Sequence, residues 1–246
     1  MNKKAKMIIG VIAILLIVAS ATCVVLFKNK TTFKQSALDF KEEYEKVNGK
    51  TMINDIKYRT LDIDKNNPYV KVSIDEIAKK IENKETFYLY VGDPLCPWCR
   101  SGLEKMIEVA NREKIETIYY VDFWDDEHNE ILRDLYDVEV VGKKVNIIKT
   151  KEATEGYKIL YKAVEDFIQD YTITKDGKEY NVGVKKVYGG DHFYFNKGEC
   201  EKYVSLRVPS LAKATDELTK EVLKEQEDLF TKFFTPSNIC TSDAGC

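Results

Sequence analysis

The sequence predicts an α/β protein in which a central mixed sheet is flanked by helices. Between residues 86 and 123, a strand-like stretch, an amphipathic helix and a second strand-like stretch follow one another. Such a β-α-β unit implies parallel strands with the helix on one face of the sheet. Farther along, two strand-like stretches flank a turn at 196–198, which predicts an antiparallel hairpin. The composition is that of a globular protein, since 44% of the 246 residues are hydrophobic and 32% are charged.

The first 30 residues are predicted to anchor the chain in a membrane. Residues 7–27 carry no charge over 21 positions, enough for a helix that crosses about 30 Å of hydrocarbon. An uncleaved signal anchor is the first interpretation, and a signal peptide cleaved near 19–21 or a lipid-modified Cys23 are the alternatives. The apolar run continues past Cys23 to Phe27, which favours the anchor. We therefore expect a single-pass protein of the cell membrane whose soluble part lies outside the cytoplasm.

The remainder of the chain is acidic. Five of the 38 basic residues lie within 1–30, which leaves 33 basic against 41 acidic residues, or a formal charge of −8. This charge, without a basic stripe interleaved with aromatic residues, argues against nucleic acid as a partner. Five of the six cysteines lie in this part, which favours an oxidising compartment.

The elements before residue 86 follow from periodicity and capping. Apolar residues recur at helical spacing over about 34–47. Tyr58 to Ile63 is predicted as a short strand, followed by a turn at 66–68. Ser73 and Glu76 form a capping-box pattern that begins a helix over about 74–83.

The β-α-β unit contains the sequence Cys-Pro-Trp-Cys at 96–99. Its first strand runs from Thr86 to Val91 and is broken by Gly-Asp-Pro at 92–94. The helix that opens with the motif continues to about Arg112, and Ile115 to Phe123 forms the second strand.

Beyond this unit, the periodicity predicts an alternation of helices and strands. We expect a helix at about 126–136, a strand-like segment at 138–149, a helix at 153–171, a strand at 180–187, hairpin strands at 192–195 and 199–206, and a last helix that begins after Thr219. The predicted domains are the anchor at 1–30, one domain over 31–238 with an insertion at about 139–187, and a Cys-containing tail at 239–246.

The Cys-Pro-Trp-Cys motif carries the predicted chemistry. Cys96 falls at the N-terminal end of a helix, where free N–H groups and the helix dipole favour a thiolate. Cys99 lies one turn on, on the same face, so a disulfide closes with little strain. Pro97 suits the first helical position because it has no N–H to leave unpaired, and Arg100 adds a positive charge nearby. This arrangement suits thiol–disulfide exchange.

Two other uses of the motif compete with redox chemistry. Half of a zinc site would need a second cysteine pair or a histidine pair, but Cys240 and Cys246 are six apart and His128 and His192 are isolated. A purely structural disulfide is the other alternative. The position of the motif between a strand and a helix favours the redox interpretation. We expect no metal and no bound cofactor.

The strand, motif, helix and strand resemble the thioredoxin and glutaredoxin superfamily, and the longer pattern is similar to membrane-anchored thioredoxin-like proteins of Gram-positive bacteria. The similar stretches are 44–49, 58–68, 93–100, 185–198 and the Cys-rich end. The resemblance covers roughly 35–246, although only the motif is specific. It implies a thioredoxin-like fold in which Cys96 is the nucleophile and Cys99 resolves the mixed disulfide.

Two positions depart from the family's pattern. Thioredoxins place a cis-proline before the final hairpin, but counting back from the hairpin turn puts Gly190 at that position. We therefore expect Gly189 and Gly190 beside the active cysteines, and Pro209 to be trans and distant from them. The family's buried aspartate, six residues before the first cysteine, is replaced by Tyr90, and Asp93 is expected in the loop.

Other residues receive more modest predictions. Cys240 and Cys246 are expected to form a local disulfide, either a staple of the tail or a second redox pair. Cys200 is expected to fill the core, with pairing to the tail as the alternative. Trp98 is expected to be exposed beside the thiols, where it can contact a target protein. His192 either approaches the site or is a strand residue without a role.

These features predict a membrane-anchored, extracytoplasmic thiol–disulfide oxidoreductase that acts on protein thiols and disulfides and has a redox partner. Its direction, reductase or oxidase, stays open. The alternative is a thioredoxin-fold accessory module that binds an exported peptide or an envelope complex and holds a non-catalytic disulfide. Delivery of thiols to metal- or haem-containing envelope proteins is a third possibility.

Overall fold

The structure, a computed structural model, describes residues 33–52, 55–125, 127 and 129–235. Among these residues, no helix is long and apolar enough to cross a membrane. The predicted anchor at 7–27 and the tail with Cys240 and Cys246 lie outside the described residues.

The described residues form five helices. They are α1 at 33–45, α2 Ile74–Glu82, α3 Pro97–Arg112, α4 Glu155–Val164 and α5 Lys220–Phe234. The predicted capping box is present, because Ser73 accepts from the Glu76 N–H while the Glu76 carboxylate accepts from the Ser73 N–H. Thr154 and Thr219 cap α4 and α5. Each threonine side chain accepts a hydrogen bond from the backbone N–H three residues later, without the reciprocal bond of a capping box.

Nine strands form three sheets in the described part of the chain. The strands are β1 Tyr69–Lys71, β2 Phe87–Gly92, β3 Ile118–Asp122, β4 Leu135–Val141, β5 Lys144–Lys151, β6 Gln169–Lys175, β7 Lys178–Lys186, β8 Asp191–Asn196 and β9 Glu199–Ser205. The central sheet has the order β1-β3-β2-β8-β9, in which β1, β3 and β2 are parallel and β8 and β9 are antiparallel. Hairpins β4–β5 and β6–β7 form two separate two-stranded sheets.

Alternation along β2 divides the core into two layers. Tyr90 faces a layer that α1, α3 and α5 complete, with Phe40, Leu103 and Phe230 buried in it. Leu89 faces the other layer, which α2 and α4 cover. The central sheet is therefore covered on both faces, as its parallel part requires.

Three predicted elements are wrong. Tyr58 to Ile63 is not a strand, because side chains satisfy its backbone: Leu61 N–H donates to Asn48 and Ile63 N–H donates to Glu45. The helix predicted over 126–136 is replaced by a turn, in which the Asp125 carboxylate accepts from the N–H groups of Glu127 and Asn129, followed by β4.

The predicted helix over 153–171 is too long. Helix α4 ends at Val164 and β6 begins at Gln169, where Thr-Ile-Thr at 172–174 favours an extended conformation. Ile168 and Tyr171 are buried, as the apolar stripe predicts, but from a turn and a strand. The predicted insertion at 139–187 therefore contains two hairpins and a helix, α4, that packs on the central sheet.

Candidate active site

Cys96 lies at the N-terminus of α3, immediately after the loop that follows β2. It is the N-cap residue, and its Sγ accepts a hydrogen bond from the Cys99 N–H at 3.2 Å. Pro97 occupies the first helical position, and the first turn contains no acidic residue. An N–H donor and the positive end of a 16-residue helix therefore face this sulfur.

The two thiols differ in their access to solvent. Cys96 is partly exposed, whereas Cys99 is fully buried behind it, and both are free thiols. Burial raises the pKa of the Cys99 thiol well above its ordinary value, and the neighbouring Cys96 sulfur raises it further. The Tyr90 hydroxyl and the Asp93 N–H oppose this shift by hydrogen bonding to the sulfur. Cys96 is therefore the thiol that an external group can reach.

The backbone of Gly189 lies against both sulfurs. A Cβ atom at this position would lie 3.2 Å from Cys96 Sγ and 3.3 Å from Cys99 Sγ. The Gly189 carbonyl oxygen lies 3.9 Å from Cys96 Sγ. Gly190 has a φ of +103° and donates its N–H to Val91 O at 2.8 Å, which fixes this segment to the end of β2. Gly189 thus lies beside both sulfurs, whereas a Cβ atom at Gly190 would meet Leu206 at 3.5 Å.

The peptide bond of Pro209 is trans, since no cis peptide bond occurs in the described part of the chain. Pro209 itself is exposed in a turn after β9.

Tyr90, at the position of the expected aspartate, lies behind the thiols. It is fully buried, and its hydroxyl contacts both the Cys99 thiol and the Tyr44 hydroxyl, the latter at 2.8 Å. Burial raises the pKa of Tyr90 well above its ordinary value, so the hydroxyl stays protonated. Tyr90 can therefore donate a hydrogen bond to Cys99 but carries no negative charge beside it.

His192 extends this polar layer on β8. Its ring stacks on Tyr90 with centroids 4.4 Å apart, Nδ1 lies 3.2 Å from Gly190 O, and Nε2 lies 2.8 Å from the Tyr69 hydroxyl. Because a carbonyl oxygen only accepts, Nδ1 carries the proton and Nε2 accepts from Tyr69. Burial lowers the pKa of His192 to about 3, so the ring is neutral. His192 thus meets the cysteines only indirectly, through the Tyr90 ring on which it stacks.

Arg100 has a different role from the one predicted. Its side chain is fully buried at 1% exposure, and its guanidinium donates to four acceptors: the carbonyls of Tyr44, Arg59 and Pro94 and the Asn48 side chain. It thus ties the segment before β1 to the loop that holds the cysteines.

Trp98 is half-buried rather than exposed. Its ring packs against a small cluster that includes Val208 and Val222, and the Arg207 guanidinium lies 4.7 Å from the ring centroid. The indole, two positions after Cys96 in the sequence, therefore combines a packed part with a cation over its ring. On the loop, Asp93 is 7% exposed and accepts from Leu95 N–H at 2.8 Å, which shapes the turn before Cys96.

Cys200 packs as predicted for a core residue. Its free thiol lies against the layer covered by α2 and α4, and burial raises its pKa to about 12. Cys23, His128, Cys240 and Cys246 lie outside the described residues. Within the described residues, no group of three or more His, Cys, Asp or Glu is arranged to hold a metal ion.

Comparison with known proteins adds no relative, because no protein-family model matches the chain and no curated protein matches it. The arrangement of the described residues is that of an accessible thiol at a helix N-terminus with a buried second thiol directly behind it. Such a pair can form a mixed disulfide at the first sulfur and release it by attack of the second.

Proposed function

We propose that this chain is a membrane-anchored thiol–disulfide oxidoreductase with a thioredoxin-like fold, which exchanges disulfides with proteins outside the cytoplasm through Cys96 and Cys99. The observation that carries the proposal is the position of the Cys96 sulfur, which accepts the Cys99 N–H at the start of α3 while Gly189 lies across both sulfurs. Trp98 and Arg207 provide a surface beside it for a polypeptide substrate.

The sheet supports the thioredoxin-like part of this proposal. Three parallel strands in the order β1-β3-β2 continue into the antiparallel hairpin β8–β9, and helices cover both faces. The motif lies between β2 and α3, at the carboxyl ends of the parallel strands, where α/β proteins place their functional loops.

In the reducing direction, the Cys96 thiolate attacks one sulfur of a substrate disulfide. A Cys96–substrate disulfide forms, and the other substrate sulfur leaves as a thiolate. Cys99 then loses its proton and attacks Cys96 Sγ, which forms the Cys96–Cys99 disulfide and releases the second substrate thiolate. Two electrons pass to the substrate, and a redox partner must restore the dithiol. The oxidising direction is the reverse sequence.

The test is a redox titration of the full-length chain in glutathione or dithiothreitol buffers, with the oxidation state of the Cys96–Cys99 pair read by thiol alkylation and mass spectrometry. We expect a reversible two-electron transition between about −300 and −100 mV. The value would then assign the direction. A pair that stays oxidised well below this range, or that never forms a disulfide, would overturn the proposal.

The accessory-module alternative draws support from Gly189 and Gly190, which stand where thioredoxins have a residue and a cis-proline. The two functions differ in their need for the thiol. Replacing Cys96 by Ala abolishes exchange in an oxidoreductase, whereas a binding module keeps its function. Cys200→Ala is the matched control, because this free thiol lies in the other layer of the core.

A further inference from the structure

A second concave site lies away from the cysteines. A pocket of about 260 Å³ is enclosed by α4, the hairpins β4–β5 and β6–β7, and the segment before β4. Four of its twelve lining residues are tyrosines, namely Tyr136, Tyr157, Tyr161 and Tyr171. The thiol mechanism makes no use of it.

The lining of the pocket is basic. Five of the lining residues carry a cationic group and one, Asp134, carries a carboxylate. Most of the cations have partners: Arg133 donates to Glu130 and to Val187 O, Lys149 lies 3.2 Å from Asp134, and Lys185 donates to Glu165 O at 2.7 Å.

Lys158 on the pocket wall is paired in the same manner, with Glu155 at 2.7 Å.

Lys186 is the exception. Its ammonium lies over the Tyr171 ring at 4.0 Å and the Tyr188 ring at 5.1 Å, and no hydrogen-bond acceptor among the described residues contacts it. Burial, followed by the charge of Arg133, lowers the pKa of Lys186 to about 7, while Glu130 opposes this shift. The Lys186 side chain is partly exposed, and an anion in the pocket would give its ammonium a charge-assisted hydrogen bond in addition to the two ring contacts.

We propose that this pocket binds a small monocarboxylate, whose carboxylate pairs with the Lys186 ammonium and whose body packs against the tyrosine rings. A single carboxylate matches Lys186, the one lining cation that has no hydrogen-bond acceptor among the described residues. The tyrosine walls favour a planar or aromatic body over a purely polar one. The volume suits a molecule of the size of benzoate or one amino-acid residue. The inference is independent of thiol–disulfide exchange.

Benzoate is the probe for this site, titrated into the purified full-length chain by calorimetry at low salt. We expect saturable 1:1 binding of benzoate, with binding of neutral benzamide at least about tenfold weaker, because it cannot pair with an ammonium. Phenyl phosphate should also bind more weakly than benzoate. Tighter binding of N-acetylphenylalanine than of benzoate would assign the carboxylate to a peptide C-terminus, and the reverse order would assign it to a free metabolite-like acid.

Three variants locate the site. Lys186→Met should weaken benzoate binding by about tenfold or more, whereas Lys186→Arg, which keeps the charge, should retain most of it. Lys178→Met is the matched control, since Lys178 is exposed on the same hairpin outside the pocket. Thermal unfolding of each variant shows whether it is folded. The inference is wrong if neither carboxylate binds, if benzamide binds as well as benzoate, or if folded Lys186→Met and Lys186→Arg bind alike.

Discussion

Tyr90 contacts Cys99, the thiol to which the proposed mechanism assigns the resolving step. In this buried layer the Cys99 sulfur must lose a proton before it can attack, and burial opposes the charged form. The Tyr90 hydroxyl, which stays protonated, can donate a hydrogen bond to the resulting thiolate. A tyrosine at this position can stabilise the negative charge of the Cys99 thiolate, whereas an aspartate could accept the Cys99 proton.

Replacing Tyr90 by Phe should therefore slow the resolving step. Loss of one hydrogen bond, worth about 1 kcal/mol, predicts a rate about fivefold lower at neutral pH and a pH–rate profile moved to higher pH. The measurement is release of thionitrobenzoate from its mixed disulfide with Cys96, which reports attack by Cys99. Tyr88→Phe is the control, because Tyr88 lies on the same face of β2 with its ring against Phe233 and Phe234. Equal profiles for the two variants would refute the role of Tyr90.

Alanine should be unfavourable at both Gly189 and Gly190, for different reasons and with different effects. At Gly189 the new Cβ would press on both sulfurs, so Gly189→Ala should slow thionitrobenzoate release by about tenfold or more through misplacement of the thiols. At Gly190 the φ of +103° is the obstacle, so Gly190→Ala should cost about 1–2 kcal/mol in the free energy of unfolding. Urea unfolding and the release assay, applied to both variants, separate the two effects. Slower release in Gly190→Ala together with lower stability in Gly189→Ala would show that the roles of the two glycines are wrongly assigned.

At the scale of elements, Arg100 joins three segments that are far apart in sequence. Its guanidinium satisfies buried carbonyls on α1, on the segment before β1 and on the active-site loop. Arg100→Met removes these donors and leaves Tyr44 O with only the Val47 N–H at 3.4 Å, which predicts a loss of about 3 kcal/mol in the free energy of unfolding. Lysine should rescue little, because one ammonium cannot reach acceptors spread around a planar fork.

Denaturant unfolding measures this loss, and hydrogen exchange over 44–63 should increase in Arg100→Met because that segment loses its tie to the loop. Arg112→Met is the control on the same helix, since Arg112 is exposed and its ion pairs with Glu113 and Glu227 lie in solvent. A similar response of the two variants would mean that Arg100 is not an anchor.

The elements that sequence reasoning predicted correctly are those whose signals are local. The capping box at Ser73, the motif before α3 and the turn of the last hairpin each act within a few residues. The wrong predictions fall where distant groups decide the conformation. The segment 58–63 looks like a strand, but side chains from α1, from the turn after α1 and from α3 occupy its backbone donors. The apolar stripe of α4 continues beyond Val164 only because the turn and β6 bury residues at compatible spacing.

The same distinction applies to the candidate site. Cys96, Cys99 and the two glycines were predictable, because a motif and a count from the hairpin turn place them. The contributions of Tyr44 and Tyr69 were not, because each meets the layer behind Cys99 through a contact that spans many residues of sequence. Arg100 was predictable as a neighbour of the thiols but not as an anchor, since its acceptors are backbone carbonyls that no sequence pattern marks.

For the whole molecule, two adjacent buried groups on β8 link stability to pH with opposite signs. Burial raises the pKa of Asp191 to about 7, so its contribution is fully present below its ordinary pKa of 3.8 and is lost as the pH rises through about 7. Burial lowers the pKa of His192 from 6.5 to about 3, so its contribution is present above pH 6.5 and declines as the pH falls toward 3. His192 belongs to the layer behind the thiols, where it stacks on Tyr90, whereas Asp191 points to the other face of the sheet and accepts from the Tyr203 hydroxyl at 3.0 Å.

Acid should therefore destabilise the protein partly through His192. Between pH 6.5 and 3 the unfolded chain binds a proton on this ring and the native protein does not. The free energy of unfolding therefore decreases as the pH falls through this range. His192→Gln, whose amide can still donate to Gly190 O and accept from Tyr69, removes the titration. From pH 6.5 to 4.5 the wild type should lose about 2 kcal/mol more than the variant, as measured by urea unfolding at each pH. The titration of the carboxylates is common to both proteins and cancels in this difference. Parallel curves of unfolding free energy against pH would mean that His192 is protonated in the native core, which would contradict a neutral ring stacked on Tyr90.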